Sequence, residues 1–198
     1  MPHRALFILL LLGLSGQALA QGRGERPEPT PRLDVAVTYI TTAADLTQGG
    51  MRIAFHLASG GFRVEPSASV DGAPPIYILA RRGQDQAVMV MESREAFLEL
   101  EAGANMLRDL EVALASGRAS RVGTGRVANL PCTSWRLPEP ALGEACISQR
   151  GVLLRRQTAA GVVMEASFVD QREQDPERFR VPPGFRAISI DDMVETPR

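Results

Sequence analysis

From Leu33 the chain alternates apolar and polar positions, with Leu33, Val35, Val37 and Tyr39 set against Asp34, Ala36 and Thr38. A period of two sends successive side chains to opposite faces, so this segment predicts a strand buried on one side. After Gly49-Gly50 the pattern returns in Met51, Ile53, Phe55 and Leu57, with Arg52 and His56 opposite. Gly60-Gly61 predicts a tight turn before a short strand over Phe62–Val64. Asp71-Gly72 and Pro74-Pro75 break the chain again. Ile76–Leu79 and Ala87–Met91 flank a turn at Arg82-Gly83 and are apolar on both sides. Each of their faces therefore needs a cover. Ala96, Leu98 and Leu100 predict one more strand.

Asn105–Ala115 reads differently. Met106, Leu107, Leu110, Val112 and Leu114 gather on one broad face of a helix that Gly117 ends. Strands resume over Ser120–Val127, Cys132–Leu137, Ala145–Ser148, Val152–Arg156 and Val162–Val169, with turns at 149–151 and 159–161. The fold class is mainly β with one main helix (α+β): a curled antiparallel sheet or open barrel covered by helix. A meander of about ten strands must curl, and one helix suffices to cover its concave side. The interior is then either filled by side chains or left as an apolar pocket. The pattern predicts one β-rich domain over residues 33–190, with a tail at 191–198.

The first twenty residues carry an address. His3 and Arg4 precede the apolar run Ala5–Leu14, and Ala18-Leu19-Ala20 supplies a small-x-small cleavage site. A run of about ten apolar residues is too short for a bilayer, which needs about 20. Residues 1–20 thus predict a signal peptide cut after Ala20, and a periplasmic mature chain. No cysteine follows the apolar run, which argues against a lipid anchor at that junction. Residues 21–32, with three prolines and two glycines, predict a disordered linker. No membrane span is expected in the mature chain.

The 198 residues carry a formal charge of −1, too balanced for a nucleic-acid partner. All 22 basic residues are arginine. The absence of lysine excludes Schiff-base chemistry, a phosphate-loop lysine and a Ser-x-x-Lys nucleophile. In an oxidising compartment the two cysteines, Cys132 and Cys146, are expected to pair. Closing a loop of about 15 residues stabilises a fold by about 3 kcal/mol in the chain-entropy model.

Candidate chemistry is sparse. His56 is the one histidine of the mature chain and could act as a base or a pH switch, but an exposed or satisfied structural role fits its isolation better. Glu139 and Asp191-Asp192 lack the spacing of a calcium loop, and histidine–cysteine metal sites are out of reach. Gly123–Ala128 fits a loose G-x-G-x-x-A pattern, but it leads into another strand, whereas a dinucleotide fingerprint must open a helix. The chain is therefore expected to be no enzyme and to need no cofactor or metal. The apolar candidates for a ligand pocket are Tyr39, Phe55, Tyr77, Leu107, Leu110, Leu114 and Trp135, with Phe62 and Phe168 beside them. The alternative for each is an ordinary core.

The last third has its own run of motifs: RVGTGRVANLPCTSW over 121–135, EAC over 144–146, GVLLRR over 151–156, VMEA over 163–166, DPERF over 175–179 and VPPGF over 181–185. Together they resemble a group of bacterial exported proteins of unknown function whose fold is similar to the periplasmic lipoprotein carriers (LolA-like). The resemblance implies an open antiparallel barrel closed by helix. It also implies a partner that is an apolar ligand or an acylated protein. The other reading is a protein-interaction or envelope-assembly module with a filled core. Neither fixes an oligomeric state.

Overall fold

The computed structural model describes residues 26–28, 30–42, 50–66, 76–100 and 107–194. The signal peptide, its cleavage site and the first two positions of the expected helix lie outside the described residues.

The chain lays down one meander, crosses over, and lays down a second. The first is β1 (Val35–Thr41), β2 (Met51–His56), β3 (Gly61–Pro66), β4 (Ile76–Arg81), β5 (Ala87–Met91) and β6 (Ala96–Leu100). The helix α1 (Arg108–Ala115) follows. The second meander is β7 (Ser120–Val127), β8 (Leu130–Arg136), β9 (Glu144–Ile147), β10 (Leu153–Thr158) and β11 (Gly161–Asp170). The last strand, β11, returns to pair antiparallel with β1, so the two meanders fuse into one sheet. At the far edge β12 (Arg186–Ile188) pairs parallel with β6. The twelve-stranded order is β12-β6-β5-β4-β3-β2-β1-β11-β10-β9-β8-β7, which leaves the barrel open. Most predicted strands thus form where the pattern placed them.

Register sorts the first meander into two faces. Val35 opposes Phe55 and Val37 opposes Ile53 across β1 and β2, while Phe55 opposes Phe62 across β2 and β3. These residues build the main core on the inner face, the one that α1 covers. On the outer face lie Ala36, Ala54, Arg63 and Leu79, which oppose one another in turn, with Tyr77 beside Val90. The segment after β11 covers that face: Phe179 packs on Ala36 and Ala54, and Val181 and Phe185 pack on the cluster of Tyr77, Leu79 and Val90. This answers the two-sided apolar strands. Helix covers one side, and the chain's own C-terminal segment covers the other.

Two sequence boundaries move. The helix starts at Arg108 with Leu107 as its N-cap residue, and Gly117 at φ 71° supplies the left-handed conformation that stops it. The linker expected over 21–32 joins the domain before Leu33. Pro27 and Thr30 are buried, and the Arg32 amide donates to the Arg150 carbonyl at 2.9 Å. Gly151 makes this possible, since a Cβ there would collide with the Thr30 carbonyl. The tail expected from residue 191 begins as a helical turn, α2 (Asp191–Val194), with the Ser189 amide donating to Asp192.

Candidate functional site

The inner face holds a small apolar cavity of about 60 Å³ beneath α1. Val35, Val37 and Tyr39 of β1, Ile53 and Phe55 of β2, and Phe62 of β3 form its floor, and Leu107, Leu110 and Glu111 form its roof. Period two selects the floor and helical spacing selects the roof, so both patterns read from the sequence converge here. The Tyr39 hydroxyl donates to the Leu153 carbonyl at 2.7 Å, which closes one wall, and burial drives its phenol well above the usual range.

Two polar contacts tie α1 to the turn between β4 and β5. Arg108 pairs with Asp85 at 3.2 Å, and the Glu111 carboxylate accepts a hydrogen bond from the Gly83 amide. Glu111 Oε1 is buried without a hydrogen-bond partner. Desolvation raises the Glu111 carboxyl above the ordinary value, against the lowering effects of the Gly83 amide, Arg82 and Arg108. At its other end α1 packs Leu110, Ala113 and Leu114 against Trp135, Leu137, Ala145 and Ile147. The helix therefore spans the mouth of the half-barrel from the first meander to the second.

The seven ligand candidates divide into three groups. Tyr39, Phe55, Leu107 and Leu110 line the cavity. Leu114 and Trp135 meet in the neighbouring helix–sheet core. Tyr77 does not join them, because its parity on β4 turns it to the outer face. There Arg63 lies 3.3 Å from its ring centroid. Of the two further aromatics, Phe62 lines the cavity and Phe168 opposes Thr38, where it stays 58% exposed. Sequence reasoning passed over Glu111 and Arg63. A lone acid on an apolar helical face was the available signal for the first. Nothing local marks the second.

Cys132 and Cys146 are bonded, bridging β8 and β9 with their Cα atoms 5.5 Å apart. His56 Nδ1 lies 2.8 Å from Ser59 Oγ, and its ring stacks on Phe179 with centroids 5.5 Å apart. Its contacts are those of a core-edge residue. Residues 123–128 run through β7 into a hairpin turn at Ala128-Asn129, where both residues have positive φ. Among the described residues no three His, Cys, Asp or Glu side chains cluster as metal ligands, and no helix is long and apolar enough to cross a membrane.

The sequence matches no family model and none of the curated proteins. In structure the chain is similar to an uncharacterized conserved protein from Thermus thermophilus. The two share 10% identity at a TM-score of 0.52, over 79% of this chain and 90% of that one. That likeness supports the open, curled, mostly β fold. Weaker likenesses are to MucB in complex with MucA(peri), at 15% identity and TM-score 0.46 over 79% and 58%, and to the Pseudomonas aeruginosa MucA/MucB complex, at 14% and 0.37 over 77% and 57%. The chain spans less than two thirds of the length of those MucB chains.

Proposed function

We propose that this is a non-enzymatic, periplasmic binding protein of LolA-like fold. Its inner face takes an apolar or acylated ligand, a lipid or the acyl chain of a lipoprotein, beneath α1. The carrying observation is the cavity itself. Its floor is apolar side chains on three strands, and its roof is the N-terminal half of a short helix held to the β4–β5 turn by two polar contacts. Pockets for drug-sized ligands measure about 300–1,000 Å³, so on this reading the cavity of about 60 Å³ is the closed form. Ligand entry requires the Leu107 end of α1 to lift while Leu114 stays packed on Trp135. The disulfide fits an oxidising compartment.

The cavity's small volume also favours a second reading, a protein-interaction or envelope-assembly module with a filled core. Titration with a dansyl-labelled undecanoic acid separates the two. The wild type should enhance the probe's fluorescence saturably and release it to lauric acid. Leu107→Trp, which fills the cavity from its roof, should abolish the enhancement without lowering the melting temperature. A folded wild type that gives no saturable signal at tens of micromolar probe would leave the filled module as the answer.

A further inference from the structure

The lining of the cavity beneath α1 is not apolar throughout. Of the side chains that line it, only Tyr39 and Glu111 carry polar atoms, one on the floor and one on the roof. The Tyr39 hydroxyl commits its proton to the Leu153 carbonyl at 2.7 Å. Glu111 is half-buried, and its carboxylate accepts from the Gly83 amide. Its Oε1 is nevertheless buried and accepts no hydrogen bond. A buried acceptor in this state costs free energy that a donor placed beside it recovers. The lining side chains therefore offer a ligand acceptors and no free donor.

The charges nearby narrow the choice. Arg108 on the same helix and Arg82 in the β4–β5 turn both favour the charged form of Glu111, and Asp85 of that turn pairs with Arg108 at 3.2 Å. Cations at the rim thus already answer the carboxylate's charge. What Oε1 lacks is a hydrogen bond. A carboxylate head on a ligand would bring only acceptors to an acceptor. Leu107, Leu110 and Glu111, spaced three and four residues apart, share one face of α1. Raising the Leu107 end therefore uncovers Glu111 together with the two leucines, where the apolar floor meets the polar turn.

We propose that Glu111 selects the ligand, an amphiphile that carries a hydrogen-bond donor next to its chain and no negative charge, such as a secondary acyl amide or a long-chain alcohol. This rests on the reading of the cavity as a ligand site. The chain lies on Val35, Val37 and Phe55, and the head turns outward to Oε1 beside Gly83. Free fatty acids, and acyl esters with no N–H or O–H at the head, are the classes that Glu111 disfavours.

Competition against the dansyl-labelled undecanoic acid on the mature chain tests it, using two amides that differ by one N–H. N-methyldecanamide should displace the probe at about tenfold lower concentration than N,N-dimethyldecanamide, as expected when a charged acceptor gains or misses one hydrogen bond. The extra methyl group of the second amide favours burial, so this preference runs against hydrophobicity. Decanoate, ionised at neutral pH, should also compete less well than N-methyldecanamide. Glu111→Leu should still bind the probe and release it equally to both amides; if that variant does not fold, the amide pair on the wild type decides alone. Equal competition by the two amides on a wild type that binds the probe would overturn the proposal and leave the cavity a ligand site. Decanoate as the best competitor would overturn it by showing that Arg82 and Arg108 read the head. A folded Glu111→Leu that keeps the preference would place the acceptor elsewhere. A wild type that binds no probe fails the cavity reading itself, and this inference falls with it.

Discussion

The inner and outer faces of the first meander carry covers of different construction. On the inner face α1 sits over Val35, Val37, Ile53 and Phe55, leaves a cavity, and keeps one buried carboxylate oxygen without a partner. On the outer face the C-terminal segment lies on Ala36, Ala54 and Tyr77 and is fixed by a buried cation. Arg63 is only 8% exposed; it stacks on Tyr77, pairs with Glu65 and donates to the Arg178 carbonyl at 3.1 Å. Arg178 in turn pairs with Glu65 at 3.2 Å. Arg52, opposite Glu65 on the same face, keeps its Nε buried without a partner. The contrast is between a cover tied down by a buried cation and its ion pairs and a cover that leaves a cavity beneath it, and the proposed ligand entry asks the second of these to move.

The largest test of this comparison is Arg63→Ala. Removing one partner of a buried pair strands the other, so the substitution should destabilise the protein by about 3–5 kcal/mol in urea unfolding. It should free the segment around Phe179 to proteolysis. A loss below about 1 kcal/mol would mean that the outer cover is no more fixed than the inner one.

Next in size is Leu110→Ala. In a tightly packed core a leucine truncation costs about 2–5 kcal/mol, including the cavity left behind. Leu110 borders a cavity that already exists, so the loss should fall near the lower end, about 2 kcal/mol. Phe179→Ala on the outer face should lose about 3–5 kcal/mol. Equal losses at the two sites would erase the distinction between the covers.

The smallest effect is electrostatic. The Glu111 carboxyl is raised in the folded state, chiefly by desolvation, so the folded protein holds its proton more readily than the unfolded chain does. Its contribution to stability is complete below the unfolded value near pH 4 and is lost as pH rises through the raised folded value. Glu111→Gln should therefore raise the melting temperature at pH 7 by about 1–3 °C and leave it unchanged near pH 3.5. A drop at pH 7 would show that the carboxylate's bond to the Gly83 amide outweighs its burial.

Much of this architecture was legible because local pattern and burial agree. β1 and β2 alternate cleanly, and both put their apolar sets on the inner face. The helix was legible from Leu107, Leu110 and Leu114, and the disulfide from a lone cysteine pair. Tyr77 was not, since β4 is apolar on both sides and its own period cannot say which side is inner. Only its register with β3 and β5 decides that. The outer cover was also hidden. Residues 171–185 carry no periodicity, and their placement depends on long-range contacts such as the Gln174 amide donating to Asp34 at 2.9 Å. Glu111 stood in view as one acid on an apolar helix face, but its buried oxygen depends on where the β4–β5 turn lies.

The central claim is that α1 is a movable cover over an apolar cleft while the C-terminal segment is fixed. Amide hydrogen exchange, with and without lauroyl-glycine, measures both at once. The Glu111 amide, which donates to the Leu107 carbonyl at 3.0 Å at the end that lifts, should exchange through local opening at least tenfold faster than the amide of Arg178. The acyl ligand should slow Glu111 and leave Arg178 unchanged. If the Glu111 and Arg178 amides both exchange only through global unfolding, and lauroyl-glycine alters neither, the inner face is a permanent core and the claim fails.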